Sequence, residues 1–316
     1  MNEHVDCPRC GYDLHGDIST WTTSCPLRGQ CNECGLEFAW AGLFDPTVYM
    51  PRWNVEAPQR KRTVALSALA TLAGMALPFR FWRRLRMHHP VRPGRLFVFV
   101  LMLAAIFLFA MCANNALDMW QSLRMFKMNG WTPEFSEARA IVTAAFAPLS
   151  DETAGILSQN PPTGGFAYTA TTPYQLWADR WFGMWEVLTS FALVPISGAV
   201  IFVAMPVTRR TAKVRWAHII RIAVYGLGLG LVPLAMLFAM FQAPVFAGGL
   251  WMRFGAAIGY GTLGLFLALT FGWWWAASRN YLRIPHAPAV AAVVTVVGTL
   301  LPFLAMLLVS IAQNQR

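Results

Sequence analysis

The chain has 316 residues, of which 56% are hydrophobic and only 13% are charged. A soluble domain of this composition would expose too much apolar surface, so the composition excludes an ordinary soluble globular protein and favours a membrane protein. The 25 Lys and Arg residues exceed the 15 Asp and Glu residues, and the resulting charge of +10 is concentrated in a few segments.

Two C-x-x-C pairs lie near the N-terminus, Cys7 with Cys10 and Cys31 with Cys34. No signal-peptide core precedes them, so the N-terminus is expected to stay in the cytoplasm, where reduced thiols bind metal rather than form disulfides. Four thiolates suit tetrahedral zinc and leave no ligand position open. The sequence therefore predicts a cytoplasmic β zinc-ribbon module over residues 1–50 that holds a structural Zn²⁺ ion, with iron as the alternative metal.

The other cysteines are not expected to bind this metal. Cys25 lacks a second cysteine at ligand spacing and is expected to be packed as a small apolar side chain. Cys112 lies in an apolar stretch and is expected to face lipid or other helices. His15 is the nearest alternative ligand to the four cysteines.

The module is acidic, whereas the segment after it is basic. Residues 1–50 carry two arginines against seven acids, which gives a charge of −5. Nucleic-acid binding depends on basic residues that neutralise phosphates, so this charge argues against nucleic acid and favours a protein partner. Residues 52–95 hold ten basic residues and one acid, Glu56. The module is therefore expected to dock on this basic segment or to compete with anionic lipid for it.

Five apolar stretches reach the length of about 20 residues that crosses a bilayer. They are residues 96–117, 181–205, 217–242, 254–276 and 289–311. The basic residues of segments 80–95, 206–216 and 277–288 then fall on one side, which the positive-inside tendency makes cytoplasmic. The sequence therefore predicts an all-α polytopic membrane protein with about five transmembrane helices over residues 96–316. The bacterial cytoplasmic (inner) membrane is the expected location, with residues 118–180 as an outer segment and the C-terminus outside.

Residues 51–95 are predicted to form a basic juxtamembrane region with an interfacial helix. The stretch 64–79 is apolar but short, and basic clusters flank both of its ends. An interfacial or shallow re-entrant helix is favoured over a sixth span, because a span would place one cluster outside. The apolar residues expected at the acyl boundary are Leu66, Leu69, Leu72, Phe81 and Trp82. The basic residues expected to contact anionic lipid headgroups, named here the basic belt, are Arg80, Arg83, Arg84, Arg86, Arg92 and Arg95.

Ionisable residues are scarce within the predicted spans. Glu186, Arg221 and Arg253 lie near span ends, where each is expected to snorkel or to pair near an interface. A candidate polar cluster at the outer level comprises Glu186, Arg253, Asn114 and Asn115. The sequence contains no G-x-S-x-G, H-E-x-x-H or P-loop motif, so an enzyme is not expected.

Three short runs resemble two known families. Residues 7–14 (CPRCGYDL) and 31–38 (CNECGLEF) resemble the N-terminal zinc ribbons of many bacterial membrane proteins. Residues 77–85 (LPFRFWRRL), which lead into the first predicted span, resemble the start of Yip1-type domains. The resemblance implies a five-helix membrane domain with a cytoplasmic N-terminus, although segment 118–180 departs from the compact loops of that family. It also implies membrane organisation or partner recruitment rather than a reaction.

The expected function is therefore non-enzymatic. The zinc ribbon is expected to recruit or sense a cytoplasmic protein partner, while the helical bundle serves as anchor and assembly surface. One alternative is an accessory subunit of a larger membrane protein complex. The other is a transporter or channel component with its polar site near the outer face.

Overall fold

A computed structural model of the protein describes residues 5–22, 24–45, 47, 50–57, 63–128, 138, 141–142, 193–205, 213–232, 235 and 249–314. The described chain is mostly helical, with one small antiparallel sheet near the N-terminus. It divides into two compact units. The first comprises Met1–Leu103, Ser190–Gly230 and Leu265–Arg316, and the second comprises Ala104–Thr189 and Leu231–Gly264.

The N-terminal module contains four short elements, α1 (His15–Ser19), β1 (Arg28–Gln30), β2 (Glu37–Ala39) and α2 (Trp40–Phe44). Strands β1 and β2 pair antiparallel, with Gly29 opposite Phe38. Edge-to-face contacts join Trp40 to Trp21 and to Phe38, at centroid distances of 4.6 and 5.0 Å. A Cβ at Gly29 would lie 2.8 Å from the Phe38 and Trp40 rings, so this aromatic core requires glycine there.

The basic juxtamembrane region contains two helices, α3 (Val64–Met75) and α4 (Pro78–Arg84). They pack against each other and are named here the α3–α4 hairpin. A helix of 12 residues is about 18 Å long, which is shorter than the hydrocarbon core of about 30 Å. This length agrees with the prediction that residues 64–79 do not cross the membrane.

Helix α4 buries the aromatic residues that were expected to face lipid. Phe81 and Trp82 are 1% and 0% exposed. Trp82 lies 4.8 Å from Trp273, and Phe81 lies 5.3 Å from Tyr225, between ring centroids. The prediction that Phe81 and Trp82 lie at the acyl boundary is therefore wrong. Helical periodicity explains the error, because these aromatics share one face of α4 while its arginines occupy the other.

Five further helices follow among the residues that the structure describes. They are α5 (Pro93–Met128), α6 (Leu193–Ala204), α7 (Trp216–Gly226), α8 (Gly249–Ala276) and α9 (Ala287–Asn314). A 3-10 turn, Leu227–Gly230, continues α7, and a π-helical turn, Ala277–Tyr281, continues α8. Pro302 lies inside α9.

Two helical stretches among the described residues are long and apolar enough to cross a membrane, Pro93–Asn114 and Ala287–Ala305. They overlap the first and last of the five predicted spans. Parts of the predicted spans 181–205 and 217–242 lie outside the described residues. The number of five spans therefore stays a prediction.

Helices α6 and α9 approach each other at two glycines. A Cβ at Gly298 would lie 3.0 Å from the Cα atom of Gly198. The Ser197 hydroxyl donates a hydrogen bond of 2.5 Å to the Gly298 carbonyl. Small residues let two backbones approach this closely, so a larger side chain at Gly298 would separate the helices. A Cβ at Gly198 would instead lie 3.0 Å from the Trp274 ring of α8.

Candidate metal centre

The four predicted cysteine ligands converge on one point. The Sγ atoms of Cys7, Cys10, Cys31 and Cys34 all lie within 4.8 Å of one another. The Sγ atoms of Cys7 and Cys34 are 3.7 Å apart, as are those of Cys10 and Cys31. A tetrahedral site with metal–sulfur bonds of about 2.3 Å has sulfur–sulfur edges of about 3.8 Å. The cluster therefore fits a single tetrahedral metal ion.

Two backbone turns of the same kind hold the cysteines. The amide of Gly11 donates to the carbonyl of Cys7 at 2.9 Å, and the amide of Gly35 donates to that of Cys31 at 2.8 Å. Both glycines have positive φ angles, +81° at Gly11 and +66° at Gly35. Other residues rarely adopt this conformation, so glycine after each pair lets the turn close around the metal.

Burial and backbone amides have opposite effects on the thiols. Burial raises the pKa of the Cys7 thiol, and burial raises the pKa of Cys34 to about 11. At Cys31 burial also opposes ionisation, but hydrogen bonds from the backbone N–H groups of Cys34 and Glu33, together with those from the Cys7 and Cys10 thiols, outweigh it and lower the pKa of that thiol. Metal binding requires thiolates, so these amide bonds favour the ionised form that a metal needs.

Cys25 lies apart from the cluster. Its side chain is exposed, and its Sγ atom lies 3.3 Å from the carbonyl oxygen of Pro26. That Cys25 is not a ligand stays a prediction, and the prediction that it is packed is wrong because the thiol is exposed. Cys112 is half-buried in α5, and His15 is exposed at the start of α1. Within the described residues, the four-cysteine group is the one set of three or more His, Cys, Asp or Glu side chains placed to share a metal.

The first metal-binding turn rests on the segment that leads into α7. The amide of Arg215 donates to the carbonyl of Arg9 at 3.0 Å, and its guanidinium donates to Asp6 at 2.8 Å. A Cβ at Gly11 would lie 2.7 Å from the Arg215 guanidinium. Glycine at position 11 is therefore needed both for the positive φ of the turn and for the close approach of Arg215.

Further polar contacts fix the second metal-binding turn and strand β2. Lys213 forms an ion pair with Glu33, and the guanidinium of Arg283 donates to the carbonyl of Glu37 at 3.2 Å. Lys213 and Glu33 are both exposed at their side chains. The acidic groups Asp6 and Glu33 thus pair with residues 215 and 213, outside the basic segment 52–95 on which docking was expected.

His218 connects the first turn to the helices. Its Nε2 atom lies 2.6 Å from the carbonyl oxygen of Pro8, and its Nδ1 atom lies 2.7 Å from the hydroxyl of Tyr281. A carbonyl only accepts, so Nε2 donates to Pro8. Nδ1 of the neutral ring then accepts from Tyr281, whose oxygen accepts from Arg221 at 2.8 Å.

Arg221 and Glu56 form a fully buried ion pair. Both side chains are 0% exposed, with Nε to Oε2 at 2.8 Å and Nη2 to Oε1 at 2.9 Å. Glu56 also accepts hydrogen bonds from the Tyr225 hydroxyl at 2.7 Å and the Arg92 amide at 3.0 Å. Arg221 pairs as expected, whereas the role of Glu56 was not predicted. A hydrogen-bonded chain thus joins Pro8, His218, Tyr281, Arg221 and Glu56.

The predicted outer polar cluster stays a prediction. Glu186 lies outside the described residues, as do the side chains of Asn115 and Arg253. Asn114 is buried at 4% exposure in α5. Of the four side chains, only that of Asn114 lies in the part of the chain that the structure describes.

The basic belt is divided between surface and interior. Its four exposed members are Arg80, Arg83, Arg84 and Arg86. Arg92 and Arg95 are half-buried, and the Arg95 guanidinium lies 3.5 Å from the Val55 carbonyl oxygen. The exposed arginines are accessible to lipid headgroups, and contact with lipid stays a prediction.

No protein-family model, curated protein or solved structure matches the chain. The resemblance to zinc ribbons is consistent with the clustering of the four thiols. No family match supports the resemblance to Yip1-type domains.

Proposed function

We propose that the chain is a non-enzymatic integral membrane protein whose zinc ribbon recruits or senses a cytoplasmic partner. The helices serve as its anchor and assembly surface. The observation that carries this proposal is the four-thiol cluster on a small module attached to the helices through polar contacts. Ion pairs that solvent reaches, such as Arg215 with Asp6, contribute little stability and are easily exchanged for contacts with another protein.

The exposed surface of α9 supports a location in lipid. Val296, Leu300, Leu304 and Leu308 are between 53% and 61% exposed and recur every four residues. Such a row covers one face of the helix. A large contiguous apolar surface is unfavourable in water, whereas lipid accommodates it.

The contacts among the predicted cytoplasmic segments support the proposed orientation. The three basic segments are far apart in sequence, yet the positive-inside tendency assigns them to one side. Arg221, just after the second segment, donates to the carbonyl of Pro90 in the first at 2.7 Å. The N-terminal module contacts Arg215 in the second segment and Arg283 in the third. One-sided placement of all three is what a bundle of about five spans requires.

We propose zinc as the resident metal because the donor set is four thiolates at tetrahedral spacing. The four ligands fill the coordination sphere, so the metal would hold the two turns together rather than bind a substrate. A module of about 45 residues gains too little from core burial to fold without such support.

Partner capture tests this function. Crosslinking in native membranes, followed by purification in mild detergent, should recover a soluble protein with the unaltered chain and with Cys25→Ser. We expect at least a tenfold lower recovery with Cys31→Ser, because loss of one thiolate unfolds the ribbon. Equal recovery of the same proteins from all three would contradict recruitment by the ribbon.

A further inference from the structure

Helix α3 buries two hydroxyl residues beside Ala68 and Met75 and exposes leucines, unlike a helix on the surface of a soluble protein. Its hydroxyl residues face inward, with Ser67 and Thr71 at 5% and 0% exposure. Two of its three leucines face outward, with Leu66 and Leu69 at 68% and 48% exposure, and Leu72 is half-buried. A helix that packs on a protein in water shows the opposite arrangement, because its apolar stripe is the buried one.

The inward hydroxyls are fully engaged. Thr71 Oγ1 accepts a hydrogen bond of 2.8 Å from the amide of Val55 and lies 2.7 Å from the carbonyl of Ser67. The Ser67 hydroxyl donates to the carbonyl of Val64 at 2.8 Å. An environment that cannot hydrogen-bond requires this arrangement, since every polar group must then be satisfied within the protein.

The outward apolar surface continues past the end of α3. Leu77 and Phe79 are 58% and 40% exposed. The Phe79 ring meets Trp275, near the end of α8, at a centroid distance of 5.0 Å. The surface of the hairpin therefore adjoins one of the predicted spans.

Exposed arginines of α4 border this apolar surface. Arg80, Arg83 and Arg84 are exposed on the outer face of α4, whereas Phe81 and Trp82 face inward. Arginine side chains at such a boundary match the anionic phosphates of lipid headgroups. The apolar part of this outer surface thus matches the acyl-chain layer of a lipid leaflet, and its basic part matches the headgroup layer.

We propose that the α3–α4 hairpin is inserted into the cytoplasmic leaflet without crossing it. Leu66, Leu69, Leu77 and Phe79 contact acyl chains there. The three exposed arginines of α4 bind anionic headgroups. The inference rests on the membrane location in the proposed function and adds the lipid-binding surface. It also replaces Phe81 and Trp82, which are buried in protein, with Leu77 and Phe79 as the lipid contacts.

Photocrosslinking of the full chain in lipid vesicles tests this surface. A photoreactive phenylalanine analogue at position 66 or 69 should yield lipid adducts detectable by mass spectrometry. The same group at position 27 should yield none. Leu27 is also highly exposed, at 89%, but it lies on the N-terminal module, which the proposed function places in the cytoplasm rather than in lipid. Adducts to a second copy or another protein, or no lipid adducts at 66 and 69, would overturn the proposal.

Charge substitution gives an independent readout. Leu69→Arg should lower the folded-to-unfolded ratio in vesicles by about tenfold or more, since a charge is costly in the acyl region. Leu27→Arg should change it less than threefold. If both are tolerated equally, the α3 surface faces water. Retention of the chain in membranes after alkaline carbonate separates the two claims, because solubility there would contradict the membrane location itself.

The headgroup contacts are tested by lipid composition. Adding phosphatidylglycerol to phosphatidylcholine vesicles should raise the thermal midpoint of the unaltered chain. The double variant Arg83→Gln with Arg84→Gln should lose most of that shift, because its guanidinium charges are gone. An unchanged shift in the double variant would overturn the assignment of these arginines.

Discussion

Replacing Arg221 by methionine is expected to lower the free energy of unfolding by about 3–5 kcal/mol. The change leaves the Glu56 carboxylate buried without its cationic partner, with the Tyr225 hydroxyl and the Arg92 amide as remaining donors. It also removes the donors to Tyr281 and to two backbone carbonyls. Denaturant unfolding in mild detergent, followed by tryptophan fluorescence, measures the effect.

A surface pair provides the matched control. Arg215→Met removes the ion pair with Asp6. Both side chains of this pair are about 40% exposed, and such a surface pair contributes about 0–1 kcal/mol to the free energy of unfolding. The double variant Glu56→Gln with Arg221→Met should be more stable than the sum of the single changes predicts, since no charge stays buried alone. An Arg221→Met variant as stable as Arg215→Met would show that the buried pair has no such role.

Loss of the metal is expected to unfold the N-terminal module while the helices stay folded. Metal binding to four thiolates supplies on the order of 10 kcal/mol to the folding of a small domain. Cys31→Ser or chelation should therefore abolish protection from amide hydrogen exchange across residues 7–39. Protection in α8 and α9 should persist, because their packing does not involve the metal.

Cys25→Ser is the control for that experiment. The Cys25 thiol is exposed and lies outside the four-thiol cluster, so its loss should leave exchange protection unchanged. Equal protection of residues 7–39 with and without metal would contradict a structural role for the ion.

The four-cysteine cluster was predictable because its determinants are local. Each C-x-x-C pair fixes two ligands within one turn, and the glycine after each pair adopts the positive φ that the turn needs. The pairing of the two turns followed from the coordination number of the metal rather than from any long-range pattern. The ligand set could therefore be read directly from the sequence.

The contacts between distant segments were not predictable in the same way. Glu56 and Arg221 are 165 residues apart, and no local pattern links them. The one available signal was that Glu56 is the single acid among ten basic residues. Phe81 and Trp82 were misassigned because arginines beside aromatic residues resemble an interfacial anchor. Only the rotation of α4, set by its packing, shows which face is buried.

The proposed function requires that the chain is embedded in the membrane and carries one zinc ion on four thiolates. Metal analysis of the protein purified from alkaline carbonate-washed membranes measures both properties in one sample. We expect one zinc ion per chain in the unaltered protein and near-complete loss in Cys31→Ser. A chain that the carbonate wash releases, or one that is retained but holds no zinc, would overturn the proposed function.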